Sequence, residues 1–149
     1  MTPASASAPR PSRPGENAPA APGPIGAFVD ASAWADWLAG NAAGSDGIWV
    51  QIAKKGSGIA SVTYAEAVDE ALCWGWIDGQ RRKFDELAFL QRFTPRRARS
   101  MWSQVNCAKA LAFMADGRMQ PRGLAEVEQA RADGRWDAAY ASQLSLIHI

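Results

Sequence analysis

The fold is decided by the stretch Leu72-Cys73-Trp74-Gly75-Trp76-Ile77-Asp78-Gly79, where the spacing of apolar residues changes from helical to extended. Upstream of it, Thr63 and Glu66 match a capping box, and apolar residues then follow one helical face. Within it, the two glycines favour a close backbone approach or a bend in a strand. The stretch therefore predicts a helix that leads directly into a strand.

A second strand is predicted over residues 87–94, where apolar and polar side chains alternate before Pro95. The two strands are expected to form a hairpin that turns at Phe84 to Glu86. The other predicted elements are a helix N-capped by Asp30 or Ser32, a strand over residues 48–54, a helix that starts near Trp102 and ends at Gly117, and a helix that ends at Gly134. This order contains no regular βαβ series, so it predicts a single-domain α+β fold with a small antiparallel sheet packed by about four helices.

The 149 residues divide into three parts. Residues 1–24 contain seven of the nine prolines and are expected to form a disordered Pro/Ala/Ser-rich arm. Residues 25–140 are expected to be the folded domain. Residues 141–149 are expected to be an irregular tail, and a truncated reading frame is one explanation for how the chain ends there.

Composition excludes several classes of protein. No run of eighteen or more apolar residues is present, so membrane insertion is not expected, and the first 25 residues lack the apolar core of a secretory signal. We therefore expect a cytoplasmic protein whose two cysteines are reduced. Because His148 is the only histidine, a Ser-His-Asp triad and an ordinary zinc site are excluded, and we expect neither a metal nor a cofactor.

Positive charge is concentrated in one segment, although the formal net charge is only +1. Seven of the sixteen basic residues lie between positions 81 and 99, against only Asp85 and Glu86. A helix start capped by Ser100 or Ser103 follows, and this combination suits a phosphate or a carboxylate. The alternative is a solvated loop whose arginines pair with acids such as Glu66, Asp69 and Glu70. Nucleic acid is not a favoured partner because the segment is short and matches no nucleic-acid motif.

The tryptophan-glycine stretch has two interpretations. Its tryptophans are either core residues, or Trp76 forms a flat wall of a ligand site in which Asp78 orients a donor or takes a proton. Cys73 is interpreted as a buried structural thiol because no histidine base is available. The Lys54-Lys55-Gly56-Ser57-Gly58 segment lacks the residue order of a Walker A loop and is interpreted as a turn.

Three ordered motifs resemble the YdeI/OmpD-associated family, also called bacteriocin-protection proteins. They are Tyr64-x-Glu66-Ala67-Val68-Asp69-Glu70-Ala71-Leu72-Cys73-x-Gly75-Trp76-Ile77-Asp78-Gly79, then Arg92-Phe93-Thr94-Pro95-Arg96 with Ser100-x-Trp102-Ser103-x-x-Asn106, then Gly117-Arg118-Met119-x-Pro121-x-Gly123. The resemblance covers about residues 28–140. It implies a bacterial protein that protects against bacteriocins or antimicrobial peptides, and it implies no reaction, cofactor or catalytic residue.

The hypothesis that joins these observations is a cytoplasmic binding protein for a small anionic ligand. Its predicted ligand-binding residues are Trp76, Asp78, Arg92, Arg96, Arg97, Arg99, Trp102, Ser103 and Asn106. The first alternative is an enzyme that uses Asp78 or Cys73 on a substrate held by the arginines. The second alternative is an interaction module with a Trp-rich surface that binds a protein partner.

Overall fold

The computed structural model describes residues 23–139. The elements, in chain order, are β1 (Ile25–Ala27), α1 (Ala31–Asn41), β2 (Ile48–Ala53), α2 (Tyr64–Cys73), β3 (Trp76–Lys83), β4 (Ala88–Pro95), α3 (Gln104–Ala115) and α4 (Pro121–Ala132). Residues 135–139 are again helical. The predicted α+β fold in a single domain is confirmed. The predicted arm and tail lie almost wholly outside the described residues.

Side-chain caps fix where three of the helices begin. Asp30, rather than Ser32, caps α1 by accepting a hydrogen bond from the amide of Ala33 at 2.9 Å. The capping box predicted for α2 is present, because Thr63 and Glu66 each accept from the other's backbone amide. Ser103 caps α3. These contacts satisfy amide groups that the first helical turn leaves without partners.

The four strands form one sheet in the order β1-β2-β4-β3. β2 with β4 and β4 with β3 are antiparallel, and the predicted hairpin between β3 and β4 is present. β1 was not predicted from the sequence, and it pairs parallel to β2, so the sheet is mixed rather than wholly antiparallel. A strand of three residues around Gly26 is too short to show an alternating pattern, and this explains why it was not predicted.

Two apolar clusters share α2. The first packs α1 and α2 against one face of the sheet, here called the core face, which carries Ile48, Val50, Ile52 and Phe93. The second joins the end of α2 to α3, α4 and Trp136. Helix α2 therefore links the sheet to the last two helices. None of the helices between residues 23 and 139 is long and apolar enough to cross a bilayer.

Candidate functional site

The tryptophan-glycine stretch and the arginine segment meet at the pairing of β3 with β4. Trp76 is opposite Pro95 in the register, and the amide of Arg96 donates to the carbonyl oxygen of Gly75 at 2.9 Å. Gly75 has φ = 76°, a conformation that favours glycine, and an added Cβ would lie 3.1 Å from the Arg122 carbonyl oxygen. Two segments that are about twenty residues apart in the sequence are therefore adjacent in the fold.

A β-bulge lies at the centre of this pairing. The register runs from Asp78 opposite Phe93 to Arg81 opposite Gln91, so Gly79 and Gln80 together oppose Arg92. The buried amide of Gln91 stabilises the bulge, because its Nε2 donates to the carbonyl oxygens of Gly79 at 2.7 Å and Gln80 at 3.1 Å. Bulges of this kind redirect side chains and are frequent beside binding sites.

A cavity of about 690 Å³ opens beside the bulge. It is here called the basic cavity, and its lining residues are Asp46, Trp49, Gly79, Gln80, Arg92, Thr94, Pro95, Arg96 and Arg97. Its volume lies within the range usual for small-molecule sites. Three of the four arginines predicted to bind an anion therefore share one cavity with part of the tryptophan-glycine stretch.

Arg92 lies on the sheet face opposite the core face. It pairs with Trp49 in the register, and its guanidinium carbon is 5.6 Å from the centroid of the Trp49 ring. Gly79 is its neighbour on this face, since a Cβ added there would be in ordinary van der Waals contact with the Arg92 side chain at 3.6 Å. In the described part of the chain, the buried Nη1 of Arg92 has no hydrogen-bond partner.

Arg96 is the most buried cation of the site, with 7% of its surface exposed. Its guanidinium lies 4.0 Å from the centroid of the Trp102 ring, and its Nη1 donates to the Met101 carbonyl oxygen at 3.1 Å. Its buried Nε has no hydrogen-bond partner among the residues that the structure describes. Burial lowers the pKa of Arg96 to about 10, while the charge of Glu126 acts in the opposite direction. A buried cation with a free N–H group favours an anionic neighbour.

Trp76 and Asp78 do not line the basic cavity. Trp76 is fully buried in the first apolar cluster, with its ring edge-on to Trp37 at 5.8 Å, in agreement with its interpretation as a core residue. Asp78 shares the core face with Phe93 and accepts a hydrogen bond from the Tyr64 hydroxyl at 2.7 Å. Both side chains lie on the face opposite Arg92, because Trp76 and Asp78 pair with Pro95 and Phe93, which alternate with Arg92 along β4.

Cys73 also lies away from the basic cavity. It is buried in the second apolar cluster, and burial raises the pKa of its thiol to about 11. The thiol is therefore protonated near neutral pH, whereas nucleophilic attack requires the thiolate. Cys107 is likewise free and buried.

The remaining predicted residues do not line the cavity. Trp102 packs against Trp136 with ring centroids 5.3 Å apart, and its ring also contacts the guanidinium of the cavity-lining Arg96. Ser103 accepts a hydrogen bond from the amide of Asn106, so both serve the start of α3. Arg99 is exposed in the turn before α3 and is not a lining residue.

The acids proposed as partners of the arginine segment are engaged elsewhere. Asp69 pairs with Lys109, and Glu70 pairs with Arg118, both at 2.9 Å. Glu66 belongs to the capping box of α2. Within the described part of the chain, none of these acids forms an ion pair with Arg92, Arg96 or Arg97, which argues against a loop neutralised by them.

Sequence reasoning missed several residues around the site, and four of them are charged or aromatic. Asp46 and Trp49 line the cavity, and Glu126 and Arg135 influence the charge of Arg96 from the helical side. Arg135 also donates from Nη1 to the Ser100 carbonyl oxygen at 2.7 Å. The alternation of side chains along β2 could have indicated Trp49, whereas no local sequence pattern indicates Glu126 or Arg135.

All seven tryptophans of the chain lie in the described region, and each is buried or half-buried. A Trp-rich docking surface is therefore not formed by residues 23–139.

Comparison with known proteins gives a single family and no named relative. No curated protein and no solved structure matches the chain. One family model, described as a domain of unknown function (DUF8412), matches residues 27–126, which include β2, β3, β4 and the arginine segment. The chain therefore belongs to the DUF8412 family.

Proposed function

We propose that the protein binds a small anionic ligand in the basic cavity. The observation that carries the proposal is the pair of buried guanidinium nitrogens that have no partner among residues 23–139, Nη1 of Arg92 and Nε of Arg96, on two residues that line one cavity. Leaving a buried N–H group without a partner costs about 1–3 kcal/mol, and more for charged groups. A carboxylate or phosphate would supply the missing acceptors, and the planar guanidinium matches both in shape.

Charge supports the same ligand class. Three arginines line the cavity against one carboxylate, that of Asp46. Asp46 is exposed and forms no ion pair with any residue between 23 and 139, so it leaves the arginines available. The enzyme alternative has no support of this kind, because neither Asp78 nor Cys73 lines the cavity.

Isothermal titration calorimetry with inorganic phosphate and with citrate tests the proposal. Arg92→Gln and Arg97→Gln should each weaken binding about tenfold, because each removes a charge-assisted contact. Arg99→Gln is the matched control, since Arg99 belongs to the same segment but does not line the cavity. Equal affinity in all three variants, or no binding of either anion, would overturn the proposal.

We also propose the role that the resemblance to the YdeI/OmpD-associated family implies, namely protection of a bacterial cell against bacteriocins or antimicrobial peptides, exerted from the cytoplasm. The two free cysteines support this location, because thiols stay reduced in the cytoplasm. Deleting the gene should sensitise the cells, and Arg97→Gln should restore resistance less well than Arg99→Gln. Unchanged sensitivity on deletion would overturn the proposed role without affecting the test of anion binding.

A further inference from the structure

A second cavity, of about 650 Å³, lies near the opposite end of β4 from the basic cavity. It is here called the lysine-loop cavity. Its walls are the end of β2, the loop that follows β2, and the start of α2, and its lining residues are 52–59, 61–64, Arg81 and Phe89. The two cavities share no lining residue and therefore form separate sites.

The charged residues that line the lysine-loop cavity are all basic. Lys54, Lys55 and Arg81 line it, and its described lining includes no aspartate or glutamate. The three cations come from the loop and from β3, so the fold brings together charges that lie far apart in the sequence. Cations that converge on one cavity attract an anionic group.

The floor of this cavity is apolar. Ile52 and Val62 are buried there, and the ring of Phe89 is half-buried. Ile59 lies at the cavity with 46% of its surface exposed to solvent. An apolar floor beneath cations is the usual composition of a site for an organic ligand rather than an inorganic ion.

Arg81 is held in a fixed position. Its guanidinium carbon lies 4.1 Å from the centroid of the Phe89 ring and 5.1 Å from that of Tyr64, and its Nε donates to Gln91 Oε1 at 3.3 Å. Within residues 23–139, its two terminal amino groups donate to no acceptor. Two free parallel donors on a fixed guanidinium suit the two oxygens of a carboxylate.

The loop leaves room for a ligand. Gly56 and Gly58 have φ of 82° and 79°, and a Cβ added at either would meet no atom within 4 Å. These glycines are therefore needed for the positive φ of the turn and not for close packing against other atoms. Their amides border the cavity and can report on binding there.

From these features we infer that the lysine-loop cavity is a second ligand site, which takes a small organic carboxylate with an apolar body. The carboxylate pairs with Arg81 and the loop lysines, and the body covers Phe89 and the buried aliphatic floor. This site is independent of the anion-binding function proposed for the basic cavity.

Three probes of graded chemistry test the inference: 2-naphthoate, which has both features, acetate, which has only the carboxylate, and 2-naphthalenemethanol, which has only the body. Amide NMR shifts are followed at Gly56 and Gly58, with Gly79 as the reporter for the basic cavity. We expect 2-naphthoate to shift Gly56 and Gly58 at concentrations where neither of the other probes does.

Arg81→Gln should weaken the 2-naphthoate binding that Gly56 and Gly58 report about tenfold, and Arg92→Gln, the matched control in the basic cavity, should leave the binding at these two reporters unchanged. Since Arg81 also contacts Gln91, the double variant Lys54→Ala/Lys55→Ala provides a second test that preserves this contact, and it should likewise reduce affinity. Binding of the alcohol as tight as that of 2-naphthoate would overturn the inference. So would the absence of shifts at Gly56 and Gly58, or a loss of affinity in Arg92→Gln alone.

Discussion

Arg96 lies over the indole of Trp102, with its guanidinium carbon 4.0 Å from the ring centroid. The same guanidinium donates a hydrogen bond to the Met101 carbonyl oxygen. Arg135 donates a hydrogen bond to the preceding carbonyl oxygen, that of Ser100. Two arginines from different parts of the chain thus fix the turn before α3. This turn begins at Arg97, which lines the basic cavity, so the packing of the last helices influences the shape of the candidate site.

Arg96→Lys should lower the free energy of unfolding by about 1–2 kcal/mol, because an ammonium group lacks the planar surface and the fork of donors that Arg96 uses. Urea denaturation measures the change. Arg99→Lys is the matched control and should remain near wild type, since Arg99 is exposed. Equal stability of both variants would contradict the stacking argument.

Gly123→Ala should destabilise the protein by about 1–3 kcal/mol, because an added Cβ would overlap the carbonyl group of Cys73. Gly40→Ala is the counterpart, since nothing lies within 4 Å of its added Cβ and Gly40 is part of α1. Alanine there should stabilise the protein by about 0.5–1 kcal/mol. Opposite shifts in melting temperature are expected, and shifts of the same sign would count against the close packing of α4 on α2.

Asp30→Ala should cost about 1 kcal/mol of stability, because it removes the side-chain acceptor for the Ala33 amide. Ser32→Ala should have almost no effect, because Asp30 provides the cap of α1. Thermal or urea unfolding of the two variants distinguishes them. A larger loss of stability in Ser32→Ala than in Asp30→Ala would indicate that α1 starts at a different residue.

The pKa of Tyr64 is raised to about 12, first by burial and then by its hydrogen bond to Asp78 and by the charge of that carboxylate. Asp78→Asn should lower this pKa, and ultraviolet titration in a Tyr140→Phe background would measure the shift. Because the folded value exceeds the ordinary 10.0, the contribution of Tyr64 to stability is complete below pH 10 and is lost as the pH rises towards 12. An unchanged pKa of Tyr64 in Asp78→Asn would contradict the hydrogen bond between these two side chains.

Both thiols should resist Ellman's reagent in the folded protein at about pH 8, because each is buried and burial raises both pKa values. In denaturant both should react quickly. The comparison is a simple absorbance assay. Rapid reaction of the folded protein would show that the second apolar cluster opens readily.

Local signals in the sequence predicted most of the secondary structure. The capping box at Thr63 and the alternation through β4 each depend on residues a few positions apart, and both features are present. The sequence also predicted that the arginine segment and the tryptophan-glycine stretch would adjoin, since a hairpin brings its two strands together. It did not reveal β1, which is short and is stabilised by its pairing with β2.

The sequence by itself determined the α+β class, the hairpin and the clustering of basic residues, because spacing, caps and composition act locally. Only the tertiary structure decided which side chains share a cavity. The one additional residue in β3 reverses the alternation after Asp78, so Arg81 and Arg82 lie on opposite faces from those that an unbroken strand would give them. Whether a charged side chain contacts a ligand site or the core depends on that reversal, and no spacing rule in the sequence specifies it.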